Sequence, residues 1–227
     1  MPDQTPTHID WIIWQLCDSA FPAGAFAHSA GLEAAWQQGE VAGVEGLSDW
    51  ILAALGQTGS GLIPVVAAAW AGEPPLKEVD ALCDSFLLND VGNRASRSQG
   101  QALLMACHKT FETDPVRDLA ASVKAGGTPG HYAAVFGAAA RALEVPRRRA
   151  CDLVMFLALR GAVSSAVRLG IVGPLQGQNL QHRLGPRAAA IVDRYVDLPL
   201  DAVAQTAPLA DLLQGTHGRL YSRLFVS

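Results

Sequence analysis

The sequence predicts an all-α fold, a single-domain bundle of about ten helices. Apolar residues recur at spacings of three and four along most of the chain, as they do on one face of a helix. The most apolar segments are rich in alanine, which favours helices and is depleted in strands. No segment of the 227-residue chain has sustained strand alternation or a hairpin signal.

Each helix is placed by its periodicity and by the residues that start or stop it. Thr7 is the expected N-cap of the first helix, and the third opens at Glu45 or Ser48. We expect a bend over residues 56–61 and a split at Gly185 and Pro186. Residues 1–7 are expected to be flexible. The predicted helices cover residues 8–20, 29–38, 48–55, 62–71, 76–91, 94–111, 115–124, 131–143, 146–169 and 175–196, with a short one ending near 213.

Composition narrows the possible functions. The formal net charge is −4, so the chain lacks the excess positive charge that proteins use to bind the phosphates of nucleic acid. Charged residues are only 17% and apolar residues 50%, so we expect part of the surface to face another protein. The sequence contains no run of about 18 uncharged apolar residues, so it predicts no membrane span. The four cysteines form no CxxC pair, and no secretory signal is present, which predicts the reducing cytoplasm.

Metal binding and catalysis have weak signals. No two of the six histidines stand three or four residues apart, so we predict no stable metal site. An enzyme remains an alternative: a helical protein with a pocket lined by Cys17, His28 and Glu33, in which Cys17 or Ser29 is the nucleophile.

The stretch 18–36 is the most specified connection in the chain. Pro22 restricts the backbone, and small residues surround two phenylalanines. The simplest interpretation makes Phe21 and Phe26 core anchors on either side of a turn.

Two further polar features lie in the helices. Arg160, Ser164 and Arg168 form an i,i+4 row on an otherwise apolar helix, which suggests contact with a polar partner surface. Residues 93–101 cluster donors and acceptors at a predicted helix start. Helix capping alone would account for Asn93, Ser96 and Ser98 there.

The last eleven residues combine aromatic side chains with arginines. Leu220 and Leu224 are four residues apart, as are Tyr221 and Phe225, and Arg219 and Arg223 accompany them. Termini fray unless they are tied down. This tail is therefore either packed back on the domain or inserted into a partner, and aromatic and arginine residues are typical interface anchors.

Five blocks, in order, resemble the urease accessory protein UreF family. The first is the stretch around Pro22, Gly24, Phe26 and residues 28–33. The others are residues 95–104, the His-x-x-x-x-Phe-Gly element at 131–137, residues 164–169 with 173–174 and 181–183, and residues 217–225. The last block is similar to the tail of the eukaryotic-type members. The match covers roughly residues 10–227.

The resemblance implies an all-α homodimer that is not an enzyme and has no stably bound cofactor. UreF-like proteins join the scaffold UreD (also called UreH) to the GTPase UreG, and the complex delivers nickel to apo-urease in a GTP-dependent step. Nickel is then handled transiently by the complex. The resemblance also implies that the tail, residues 215–227, docks on UreD. It implies in addition that the stretch 18–36 is part of a partner surface, on which His28 and Glu33 point outward. Carried over to this sequence, the partner-binding residues are Gly24, Phe26, His28, Ser29, Gly31, Glu33, Arg97, Gln99, Arg168, Leu220, Tyr221, Arg223, Leu224 and Phe225.

Overall fold

A computed structural model describes residues 5–24 and 27–226, and within these ranges the chain forms eleven α-helices and no strand. The all-α prediction is confirmed. The helices are α1 (His8–Cys17), α2 (Leu32–Gln37), α3 (Gly43–Gln57), α4 (Ile63–Ala71), α5 (Leu76–Phe86), α6 (Asp90–Phe111), α7 (Asp114–Gly126), α8 (Tyr132–Ala142), α9 (Arg147–Arg168), α10 (Pro174–Tyr195) and α11 (Pro208–Gly215).

The predicted N-cap of α1 is confirmed. The Thr7 hydroxyl accepts from the Asp10 backbone N–H, and the Asp10 carboxylate accepts from the Thr7 backbone N–H at 2.9 Å. This reciprocal pair satisfies two donors that a helix start leaves open.

The predicted bend at residues 56–61 is wrong. The chain stays helical from α3 into α4 through one π-helical turn, Thr58–Leu62. This turn carries small residues because α10 presses against it: a Cβ added at Gly59 would lie 2.7 Å from the Tyr195 ring. The glycines therefore provide room for a neighbouring helix rather than a change of direction.

The core lies where α4, α8 and α9 meet. Gly137 on α8 lies so close to α4 that an added Cβ would overlap the Val66 carbonyl oxygen. The absence of a side chain at Gly137 therefore lets these two helices approach closely. Phe136, Met155 and Leu159 are among the buried side chains that fill this core.

Helix α10 is continuous, so the predicted split at Gly185 and Pro186 is also wrong. Leu180, Leu184, Ala188 and Val192 form one buried stripe at a spacing of four residues, and α10 packs on α9. A proline inside a helix costs about 3 kcal/mol. The burial of this stripe offsets that cost.

Two helical stretches are long and apolar enough to cross a membrane by length and composition alone. They are Gly43–Ala71 and Arg147–Arg168, and 61% and 50% of their apolar windows are buried inside the protein. Core helices have the same character, since they too must be apolar on several sides.

Candidate functional site

Glu33 lies at the centre of the predicted partner surface, but it points inward. Its side chain is 1% exposed. The carboxylate accepts from His217 Nε2 at 3.0 Å, from the Leu224 backbone N–H at 2.6 Å and from the Phe225 backbone N–H at 3.2 Å. The expectation that Glu33 points outward is therefore wrong. A buried carboxylate needs hydrogen-bond donors, and here the C-terminal tail supplies all three.

The backbone before α2 is shaped to receive α11. Gly31 has φ +87°, a left-handed conformation that residues with a Cβ rarely adopt. A Cβ there would also lie 3.1 Å from Gln214 Cβ and 3.2 Å from the Ala210 carbonyl oxygen. Ser29 is buried, and its hydroxyl accepts from the Glu33 backbone N–H at 3.5 Å. The glycine thus serves both a turn and a close helix contact.

The tail packs back on the domain, which is one of the two alternatives left open by the sequence. Phe225 is 5% exposed, and the Arg168 guanidinium lies 4.1 Å from its ring centroid. The Val226 backbone N–H donates to the Ala27 carbonyl at 2.8 Å. The tail contains one 3₁₀ turn, His217–Arg219, and no α-helix. Tyr221 and Phe225 consequently do not share a face, despite their spacing.

The outer side of the tail remains accessible. Tyr221 is fully exposed, and Leu224 and Val226 are 52% and 71% exposed. Arg223 is exposed as well, and Leu220 is half-buried. The tail therefore has an inner side that contacts the domain and an outer side whose apolar side chains are exposed to solvent.

The other residues of the opening stretch have mixed positions. Phe21 packs against Phe111 with ring centroids 6.2 Å apart, as the core-anchor interpretation predicts. Gly24 is exposed and has φ +74°. His28 is half-buried; burial, followed by the nearby charge of His217, lowers its pKa. Phe26 lies outside the described residues.

A second polar cluster links α5, α6 and α8. The buried His131 ring lies 3.1 Å from Ser96 Oγ and 3.2 Å from Asp84 Oδ1. Asp80, 1% exposed, accepts from the backbone N–H groups of Gly130 and His131 at 2.8 and 2.7 Å. Ser96 also accepts from a backbone N–H at 3.2 Å. These bonds satisfy donors at the start of α8, which makes the cluster a helix anchor.

Asp84 is the hub of that cluster. Hydrogen bonds from Asn93, Arg97 and His131 lower the pKa of its carboxyl group to about 2. Burial lowers the pKa of His131. The capping interpretation is wrong for Asn93, because Asn89 caps α6 and Asn93 reaches back to Asp84 at 3.2 Å. Asp84 was not among the residues predicted from the sequence; its i,i+4 spacing from Asp80 on α5 was the available signal.

The structure brings only part of the predicted set together. Glu33 and Arg168 contact the tail, whereas Gly31 lies against α11 and the Ser29 hydroxyl bonds the Glu33 backbone. Arg97 belongs to the Asp84 cluster, and its side chain is 42% exposed. Gln99 lines a separate cavity. In the predicted row on α9, Arg160 donates to the Cys17 carbonyl and Arg168 covers Phe225. Both contacts lie within the chain, so the row is not an open polar surface.

The pocket expected for an enzyme is not assembled as predicted. The cavity that contains His28 and Ser29 has a volume of about 280 Å³, and neither Cys17 nor Glu33 lines it. Burial raises the pKa of the Cys17 thiol, which disfavours the nucleophilic thiolate. Within residues 5–24 and 27–226, no three His, Cys, Asp or Glu side chains are grouped to hold a metal ion.

Comparison with known proteins gives a consistent result. A family model described as UreF matches residues 41–185. Urease accessory protein F of Arabidopsis thaliana is 36% identical over 96% of this chain and 93% of its own. The protein of that name from Oryza sativa subsp. indica is also 36% identical, over 96% and 85%. Urease accessory protein UreF of Arthrobacter sp. (strain FB24) is 32% identical over 94% and 95%.

These relatives are named as accessory proteins of urease and not as catalysts. The match extends over 96% of this chain. This chain belongs to the UreF family of urease accessory proteins.

Proposed function

We propose that this protein is a cytoplasmic, homodimeric scaffold that joins UreD/UreH to the GTPase UreG for GTP-dependent nickel insertion into apo-urease. Nickel is cargo of the assembled complex and is bound only transiently. The observation that carries the proposal is the tail. Its inner side is fixed to the domain by Glu33, and its outer side presents Tyr221 and Leu224 to a partner.

The UreD contact is assigned to the outer side of the tail. A segment that is already ordered loses less conformational entropy when it binds. Tyrosine and arginine are frequent anchors of interfaces, and Tyr221 and Arg223 are both exposed on this side. This assignment differs from insertion of the entire tail, because Phe225 remains on Arg168.

The UreG and dimer contacts are assigned to the remaining exposed signature residues. Arg97 is partly exposed and held in one orientation by its ion pair with Asp84. A positioned guanidinium suits a carboxylate on a partner. Ser29 and Glu33 are buried and act indirectly, because the Ser29 hydroxyl bonds the start of α2 and Glu33 holds the tail.

Co-purification with UreD tests the tail. Tyr221→Asp and Leu224→Asp should abolish recovery of the complex, since each places a charge in an apolar interface. Leu175→Asp is the matched control, because Leu175 is 86% exposed on α10, outside the tail. Substitution is preferable to deletion of residues 217–227, because the deletion would also remove all three hydrogen-bond donors of Glu33. Undiminished recovery of UreD with Tyr221→Asp would refute the assignment.

A pull-down of purified UreG tests the second contact. The protein with UreD should retain UreG in a manner that depends on GTP and nickel. Arg97→Ala should weaken this retention, whereas Arg94→Ala, a more exposed arginine on the same helix, should not. Equal retention by both variants would remove Arg97 from the UreG surface.

A further inference from the structure

A cavity of about 280 Å³ lies between α3, α6, α8, α9 and α11. It is larger than the ~150 Å³ engineered cavity that admits benzene. Trp50, Phe86 and Tyr132 give it aromatic walls, and most of the remaining lining is aliphatic. Space and apolar walls of this kind are the usual properties of a small-molecule site.

Most polar groups along the wall are already engaged. Gln57 donates to Asp211 Oδ1 at 2.9 Å, and the Gln205 amide donates to a backbone carbonyl at 3.3 Å. Gln99 lines the same cavity, and its side-chain amide forms no hydrogen bond in the described part of the chain.

The charge of the lining discriminates between ligand classes. The described lining residues include no lysine or arginine, so an anion would find no counter-charge. Asp211 is the acidic residue among them, and its carboxylate accepts from Gln57. His28 also contributes to the wall, and burial favours its neutral form. A buried site without a compensating charge disfavours an ionic ligand.

We propose that this cavity binds a small neutral molecule with an apolar ring and one amide or carbonyl group. The ring of the ligand packs against the aromatic walls, and its polar group forms a hydrogen bond with the Gln99 amide. Entry is possible along α11, the wall that contains no buried residue. This proposal is independent of the accessory role in urease maturation, and it would still hold if that role were disproved.

Benzamide and benzoate are matched probes, since they differ by a neutral amide and a carboxylate on the same ring. Titration of the full chain at pH 7, followed by calorimetry and by tryptophan fluorescence, to which Trp50 in the cavity wall contributes, should give saturable binding of benzamide. Benzoate should bind at least about tenfold more weakly, a factor that corresponds to ~1.4 kcal/mol. Equal affinities, or no benzamide binding in the millimolar range, would overturn the proposal.

Variants on one helix locate the polar contact. Gln99→Leu should raise the benzamide dissociation constant about tenfold and leave toluene binding unchanged, because only the hydrogen bond is lost. Toluene binding also reports that the variant cavity is intact. Gln101→Leu is the control, since Gln101 is exposed and donates to Pro129 outside this cavity. Benzamide binding that is unaffected by Gln99→Leu would contradict the assignment.

Discussion

Glu33→Gln should release the C-terminal tail while the remainder of the fold persists. The carboxylate accepts three hydrogen bonds. A glutamine keeps one acceptor oxygen and turns an NH₂ group toward at least one donor. Hydrogen bonds to charged groups contribute about 1.5–3 kcal/mol each. Loss of one bond and of the charge should therefore destabilise the docked tail by about 2 kcal/mol.

The free energy lost in Glu33→Gln has an upper limit, because a detached tail can form hydrogen bonds to water through its N–H groups. Hydrogen exchange measures the effect directly: exchange at the Leu224 and Phe225 amides should accelerate roughly 30-fold in Glu33→Gln. Global unfolding should shift by at most about 4–8 °C in Tm. Glu40→Gln, at an exposed position after α2, is the control. Equal protection of the two amides in Glu33→Gln and in the wild-type protein would refute this account of the tail.

Three further predictions concern the core and the Asp84 cluster. The pKa of Asp84 is lowered to about 2 in the folded state. The ionised carboxylate therefore stabilises the fold above the ordinary pKa of 3.8, and this stabilisation is lost as the pH falls toward 2. In an acid titration followed by circular dichroism, Asp84→Asn should lose less stability over this pH range than the wild-type protein. Gly137→Ala should destabilise by about 1–3 kcal/mol in urea unfolding because its Cβ overlaps α4, whereas Gly185→Ala, which meets no atom within 4 Å, should be neutral or stabilising. A thiol reagent should modify Cys17 in the folded protein and the other three cysteines only after unfolding, because those three are buried.

Local sequence signals were sufficient for most helices. The Thr7 cap and the proline and glycine positions around α4 and α9 act within a few residues, so periodicity places those elements well. The errors occurred where a distant element decided the outcome. Gly59 by itself suggests a bend, but its role is to make room for Tyr195. Pro186 by itself suggests a helix break, but the buried stripe of α10 keeps that helix continuous.

The candidate site was harder to predict because its contacts span nearly the whole chain. Glu33 and His217 are 184 positions apart, and no local pattern near Glu33 distinguishes an exposed carboxylate from a buried one. The resemblance to UreF selected Glu33 and the tail as separate partner-binding segments and did not pair them. It did not give the direction of the side chain, which depends on where the donors lie in space.

The anchoring of the tail through main-chain groups has a consequence for sequence change. Glu33 binds the N–H groups of Leu224 and Phe225, and Val226 is tied to Ala27 in the same way. Every amino acid except proline supplies that donor. Positions 221 and 224 can therefore vary with the partner while the attachment is unchanged, so a host with a divergent partner could adapt its specificity without refolding the domain.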